Sequence, residues 1–209
     1  MSYKSFKNIS EVCEKFNLKY EKKSFVKTKK FVINKYLYSM LDEFFIDNCS
    51  FASETSISER IIFPIIYAVS KHNELSVWSQ LRFNVDKKLK LTGNPDYILA
   101  PALEGRKKYK FPVVCLGKAK KKDFDEGWGQ VGAEMVAAQI ANKNKKIPIL
   151  GLVTDGIDWE FGKLIENKIT INKSKIVATE HLQKLFNTLN WMFAEAHKNA
   201  EQLLLMFND

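Results

Sequence analysis

Residues 111–134, F-P-V-V-C-L-G-K-A-K-K-K-D-F-D-E-G-W-G-Q-V-G-A-E, decide the fold. The segment opens on a near-continuous apolar run, the mark of a strand buried on both faces. From Asp123 to Ala141 the chain turns alanine-rich and helical in pattern. A buried strand feeding a helix predicts a sheet with that helix packed across it. Lys118 and Lys120 end the strand and, two residues apart, share one of its faces. Gln130 and Glu134, four residues apart, share one face of the helix.

Upstream, residues 76–84 and 89–100 are strand candidates, the second interrupted by Gly93-Asn94-Pro95 and carrying Pro95-Asp96. Downstream, Ile147–Val153 is another apolar strand, Asp155-Gly156 a hairpin turn, and Asp158–Leu164 the returning strand. The remainder is mostly helical. Ser10 offers a cap for a short helix to Asn17, and the lysine-rich stretch 19–30 reads as a loop or exposed edge. Residues 34–47 have a helical period. A helix over about 56–70 carries Glu59 and contains Pro64, predicting a kink or a later start. Residues 179–206 form a long amphipathic helix whose last apolar residues, Leu203 to Phe207, offer a contact to a second copy in a homo-oligomer. The order of elements predicts an α/β protein with a mixed central sheet flanked by helices. It divides into an N-terminal helical extension, 1–50, and a main domain, 51–209.

The chain has 209 residues, 45% of them hydrophobic, enough for one substantial core and too apolar for disorder. The longest apolar run, Ile61 to Val69, contains Pro64 and falls far short of the ~20 residues of a membrane span. The start, M-S-Y-K-S-F-K-N-I-S, has no apolar signal region. Cys13, Cys49 and Cys115 are odd in number and lack C-x-x-C spacing, which predicts a reduced, cytoplasmic protein without a zinc site or disulfide framework. The net charge of +9 is unevenly spread. Residues 1–30 hold nine Lys against three Glu, and residues 102–122 hold Arg106 and seven Lys against Glu104 alone. Two basic zones on an otherwise slightly acidic chain point to a polyanion partner, nucleic acid first. A lysine-rich proteome explains the total charge better than its clustering.

The set G-N-P-D-Y-I-L at 93–99, the apolar strand ending K-A-K at 118–120, and the following K-K-D-F-D-E-G-W-G-Q-V-G-A-E-M resembles the PD-(D/E)XK nuclease superfamily, the fold of many restriction endonucleases and RecB-type nuclease domains. The resemblance covers roughly 53–165. It implies a restriction-endonuclease-like fold and a metal-dependent DNA endonuclease. In that reading Asp96 is a metal ligand, Lys120 the active-site lysine, Glu59 the helix acid that supports the metal, and Gln130 the helix glutamine near the site. Two carboxylates hold Mg²⁺ or Mn²⁺, the cation clamps the scissile phosphate and lowers the pKa of the attacking water, and the lysine offsets developing charge. Lys107, Lys108, Lys110, Lys118, Lys121 and Lys122 are the expected nucleic-acid contacts, with DNA the first candidate.

One position departs from the pattern. The second acid belongs two residues before the lysine, and this chain has Lys118 there, so K-A-K stands in place of E-A-K. A protonated lysine cannot ligate a metal, and a divalent cation ~4 Å from it meets ~8 kcal/mol of repulsion at an effective dielectric of 20. Besides an introduced or erroneous lysine at 118, two readings stay open. In one the acid has migrated onto the helix as Glu134, which serves as the second metal ligand. In the other the protein is a catalytically degenerate nuclease-fold module that binds DNA or a protein partner without cutting. Plainer roles compete at each position: Asp96 as a turn residue, Lys120 to Lys122 as a solvated strand end, Glu134 and Gln130 as helix polar residues, Glu59 as a first-turn acid answering the helix dipole. Trp128 and Trp159 read as core aromatics, and His72, His181 and His197 have neither metal spacing nor a nucleophile partner.

Overall fold

The computed structural model describes residues 2–101, 112–120 and 123–208. From the N-terminus the chain forms α1 (Ile9–Phe16), β1 (Lys19–Lys22), α2 (Lys35–Ile46) and α3 (Glu54–Ile57). Helix α1 is capped by Asn8, whose side chain accepts from the Glu11 N–H, and not by Ser10, which lies inside the helix. Helix α3 starts after Ser53, whose hydroxyl accepts from the Ser56 N–H. It continues through a π-turn at Ser58–Ile62 into α4 (Phe63–His72). Pro64 lies in the first turn of α4, and the wide turn just ahead of it, with the Phe63 N–H bonded back to Ser58 O, loosens the ladder where proline supplies no donor.

Strands β2 (Leu75–Ser79), β3 (Tyr97–Pro101) and β4 (Cys115–Ala119) follow as an antiparallel meander. Both early strands are shorter than their apolar pattern suggests. Gln80 takes a left-handed backbone, φ 54°, and ends β2. Residues 86–91 form only an isolated bridge, Asp86 to Leu91, so β3 begins beyond the Gly93 break. Helix α5 (Phe124–Ala141) crosses over to β5 (Ile149–Thr154), which lies parallel to β4. A hairpin gives β6 (Asp158–Ile165), then β7 (Lys168–Ile171), the short β8 (Ile176–Val177) and α6 (Ala178–Asn208), which is broken at His181.

Among the described residues the sheet has eight strands in the order β1-β7-β6-β5-β4-β3-β2, with β8 paired to β6. It is mixed and open, with helices on both faces, as the alternation of its strands requires. Cys115 and Ala119 of β4 pack toward the core that holds α4 and α6, while Leu116 faces the second core, built around α1 and α5. Glycines let α5 close on the sheet: a Cβ on Gly151 would sit 2.8 Å from Met135 Sδ. Of residues 1–50, α1 packs on α5 and β1 pairs in parallel with β7, so this segment supplies helices and one strand of the central sheet. No helix among the described residues is long and apolar enough to cross a membrane.

Candidate functional site

Asp96 stands immediately before β3, where sheet register sets it beside the end of β4. Tyr97 pairs with Gly117 and Ser79 with Tyr97, so the next residues outward in each strand, Gln80, Asp96 and Lys118, form one row. The Gln80 N–H bonds to Asp96 O at 3.2 Å, which extends the ladder past the end of β2. Side-chain chemistry completes the row. The Lys118 ammonium lies 2.9 Å from Asp96 Oδ1 and 2.9 Å from Oδ2. The Ala119 N–H donates to Asp96 Oδ2 at 3.0 Å, and Gln80 Nε2 donates to Oδ1 at 2.9 Å. The carboxylate is thus held by a charged donor, a backbone donor and an amide, and its residue is only 9% exposed.

Lys118 is itself 8% exposed. Expected among the nucleic-acid contacts, it is turned inward to Asp96. Glu134 comes to the same pair from α5 and is 2% exposed. Its Oε2 is buried without a hydrogen-bond partner. Burial pushes its carboxyl well above the usual carboxylate range; the nearby Lys118 charge opposes that rise and Asp96 adds to it. Asp96, Lys118 and Glu134 therefore form one buried electrostatic group, with Glu134 favoured in its neutral form. Gln130, one turn before Glu134 on the same helix face, is also buried.

Lys120 goes elsewhere. Its ammonium is 2.6 Å from Glu126 Oε2, in the first turn of α5, and Lys7 reaches the other oxygen of that carboxylate at 2.8 Å. The hydrogen bonds from Lys120 and Lys7 hold the Glu126 carboxyl down to about 2, and the same bond raises the Lys120 pKa. Glu59 is exposed on the rim of a cleft of about 650 Å³, which is lined also by Glu54, Ser79, Gln80, Asp96 and Tyr97. Tyr97 hydroxyl is hydrogen-bonded to the Ser58 hydroxyl on the wall of that cleft. Lys107, Lys108, Lys110, Lys121 and Lys122 lie outside the described residues.

Sequence reading missed Gln80 and Glu126. Gln80 becomes a partner of Asp96 only because its left-handed backbone ends β2 beside Asp96, and no spacing rule shows that. Glu126 follows Lys120 by six residues across a strand-to-helix junction, outside any helical or strand repeat. Its place in the acidic first turn of α5 was the one available signal.

A hard divalent cation takes six or more oxygens, and its carboxylate ligands must be free to offer them. Both oxygens of Asp96 are already engaged, Glu134 is favoured neutral, and an ammonium stands against them. Among the described residues no three His, Cys, Asp or Glu side chains gather to hold a metal ion. These residues do not fit the Mg²⁺ or Mn²⁺ that the resemblance implies. No family model matches the chain, and no curated protein matches it.

Proposed function

We propose that the chain is a restriction-endonuclease-like protein of the PD-(D/E)XK type that binds nucleic acid, DNA first, in the cytoplasm, and does not cut it at this site. The order of helix, three-strand meander, crossover helix and parallel strand supports the fold reading, with Asp96 ahead of the second meander strand and K-A-K ending the third. The observation that carries the loss of cleavage is the Lys118 ammonium on both oxygens of Asp96. Lys118 takes the position where the resemblance calls for an acid, and it neutralises the one acid left in its usual place. The net charge of +9 and the basic zones at 1–30 and 102–122 support a polyanion partner.

The test pairs binding with cleavage. Affinity for a short DNA duplex, read by fluorescence anisotropy, should be the same in EDTA and in Mg²⁺ at fixed ionic strength. It should fall linearly in log–log form as salt rises. Supercoiled plasmid should stay un-nicked in Mg²⁺ or Mn²⁺. Metal-dependent nicking that disappears in Asp96→Asn would overturn the non-cleaving reading. Absence of salt-dependent DNA binding would overturn the nucleic-acid reading.

A further inference from the structure

Residues 23–34 join β1 to α2 without secondary structure of their own and are strapped along α6 by side-chain amides. Asn187 Oδ1 accepts from the Phe31 N–H at 2.9 Å, and Asn190 Nδ2 donates to the Lys30 carbonyl at 2.9 Å. Nearer β7, Asn172 Oδ1 accepts from the Phe25 and Val26 N–H groups. Phe25, Val26 and Phe31 pack against the core, and the lysines between them stand outward. A cavity of about 220 Å³ lies between this strap, α6 and the turn from β7 to β8, and it shares no lining residue with the cleft at Asp96. Three exposed lysines reach it from three parts of the chain: Lys27 on the strap, Lys175 just ahead of β8 and Lys184 on α6. Its described lining contains no Asp or Glu. Lys175 is paired to Asp158, and no acid among the described residues pairs with Lys27 or Lys184. Ser24 and Thr28 add hydroxyls. Thr188 also lines the cavity, is 1% exposed, and keeps its hydroxyl buried without a hydrogen-bond partner. A helix threonine ordinarily satisfies itself on the carbonyl one turn back, and an unmade buried hydrogen bond is costly.

We infer that the cavity between the strap and α6 is a binding site for one phosphate group, taken up by Lys27, Lys175, Lys184 and the Thr188 hydroxyl. Ammonium and hydroxyl groups donate, and phosphate oxygens accept. Hydrogen bonds to a charged oxygen are about twice as strong as neutral ones, and lysine binds phosphate as a point charge without needing the planar fork of arginine. A concave site walled by one sign of charge concentrates the opposite ion. Because the three lysines belong to the strap, the β7–β8 turn and α6, a bound phosphate also fastens the N-terminal segment to the C-terminal helix. The same chemistry is offered by a free phosphorylated small molecule and by a nucleic-acid backbone. The inference goes beyond the nucleic-acid reading and does not need it, since inorganic phosphate reports the site whether or not DNA binds.

The probe is inorganic phosphate, titrated calorimetrically into the full chain at fixed pH and at an ionic strength matched with chloride. Binding should saturate at one site, and at ~10-fold above the Kd the Tm should rise by ~3–6 °C over the chloride control. Phosphate also stabilises folded chains by exclusion from their surfaces, an increment that every variant keeps. Thr188→Val preserves shape and removes the unpartnered hydroxyl. It should leave the Tm in chloride equal or higher while weakening phosphate ~3- to 10-fold, a split that a purely structural threonine would not give. Lys184→Gln, at an exposed position, should weaken phosphate by ~10-fold or more. Lys88→Gln, beyond β2 at the other edge of the sheet, removes the same charge and should leave phosphate affinity within ~2-fold of the wild type. A DNA duplex identifies the source. Duplex affinity that falls further in Lys184→Gln than in Lys88→Gln assigns the phosphate to a nucleic-acid backbone, and equal falls assign it to a small molecule; both outcomes support the site. Phosphate binding that does not saturate in the wild type would overturn the inference. So would saturable binding that neither Thr188→Val nor Lys184→Gln weakens more than Lys88→Gln does.

Discussion

Lys118 and Asp96 answer each other in a place almost closed to water, and Glu134 is left with the cost. Its raised pKa means that the folded chain holds a proton which the unfolded chain releases above the usual carboxylate range. Stability linked to Glu134 is therefore full below pH ~4.5 and is lost as pH climbs toward the raised folded value. Glu134→Gln should raise Tm at pH 7 to 8, and the gain should shrink to nothing below pH ~4.5; an unchanged difference across that range in thermal melts would contradict it. Glu126 has the opposite sign. Lys120 and Lys7 hold it at about 2 against a reference of 4.5, so its contribution is present above pH 4.5 and lost as pH falls toward 2. Glu126→Gln should flatten the acid side of the Tm–pH curve in that window relative to the wild type. The sequence showed the lysine at 118 and the acid at 134 as an anomaly and its candidate remedy. It did not show their meeting around Asp96, because that depends on which residues of β2, β3 and β4 fall in one row.

Helix α5 is the element through which the sheet, the N-terminal segment and the candidate site are joined. Its glycines show how closely it is approached: a Cβ on Gly129 would lie 2.7 Å from both Phe6 O and Asn8 N, backbone atoms that cannot rotate away. Gly129→Ala should lower stability by ~1–3 kcal/mol through overpacking, outweighing a helix-propensity gain of at most ~1 kcal/mol. The midpoint of urea unfolding reads the result, and a stabilised variant would mean that α1 shifts without penalty. The strongly patterned elements are legible in the amino-acid order itself: the apolar run of β4, the Ala-rich α5, the strand at β5 and the turn at Asp155-Gly156. The edges are not. β1 is K-Y-E-K, mostly exposed, and owes its strand form to hydrogen bonds from β7 and not to any hydrophobic alternation of its own. The early ending of β2 is equally hidden, since it depends on a single backbone angle at Gln80.

On the scale of the whole molecule, residues 2–22 are built into both the sheet and the core. Val12 is fully buried and Phe6 nearly so, in the cluster shared with α5. The intact chain should unfold in one calorimetric transition whose van't Hoff and calorimetric enthalpies agree. Removing residues 1–22 should destabilise residues 51–209 and expose apolar surface to a hydrophobic dye. Two resolved transitions, or a stable truncated protein, would show that the N-terminal segment is an independent unit. The parallel pairing of β1 with β7 also sets an order of events during synthesis. Lys19 of β1 is matched to Lys168 of β7, so the first strand leaves the ribosome with its partner still unwritten. At ~5–20 residues per second, the ~150 residues between them take ~8–30 s to make. Through that interval the nascent strand carries open backbone donors and acceptors, and its own lysines, 19 and 22, discourage a neighbouring chain from zipping onto them. Closure of the sheet at this edge is a clasp fastened only once translation has passed Ile171.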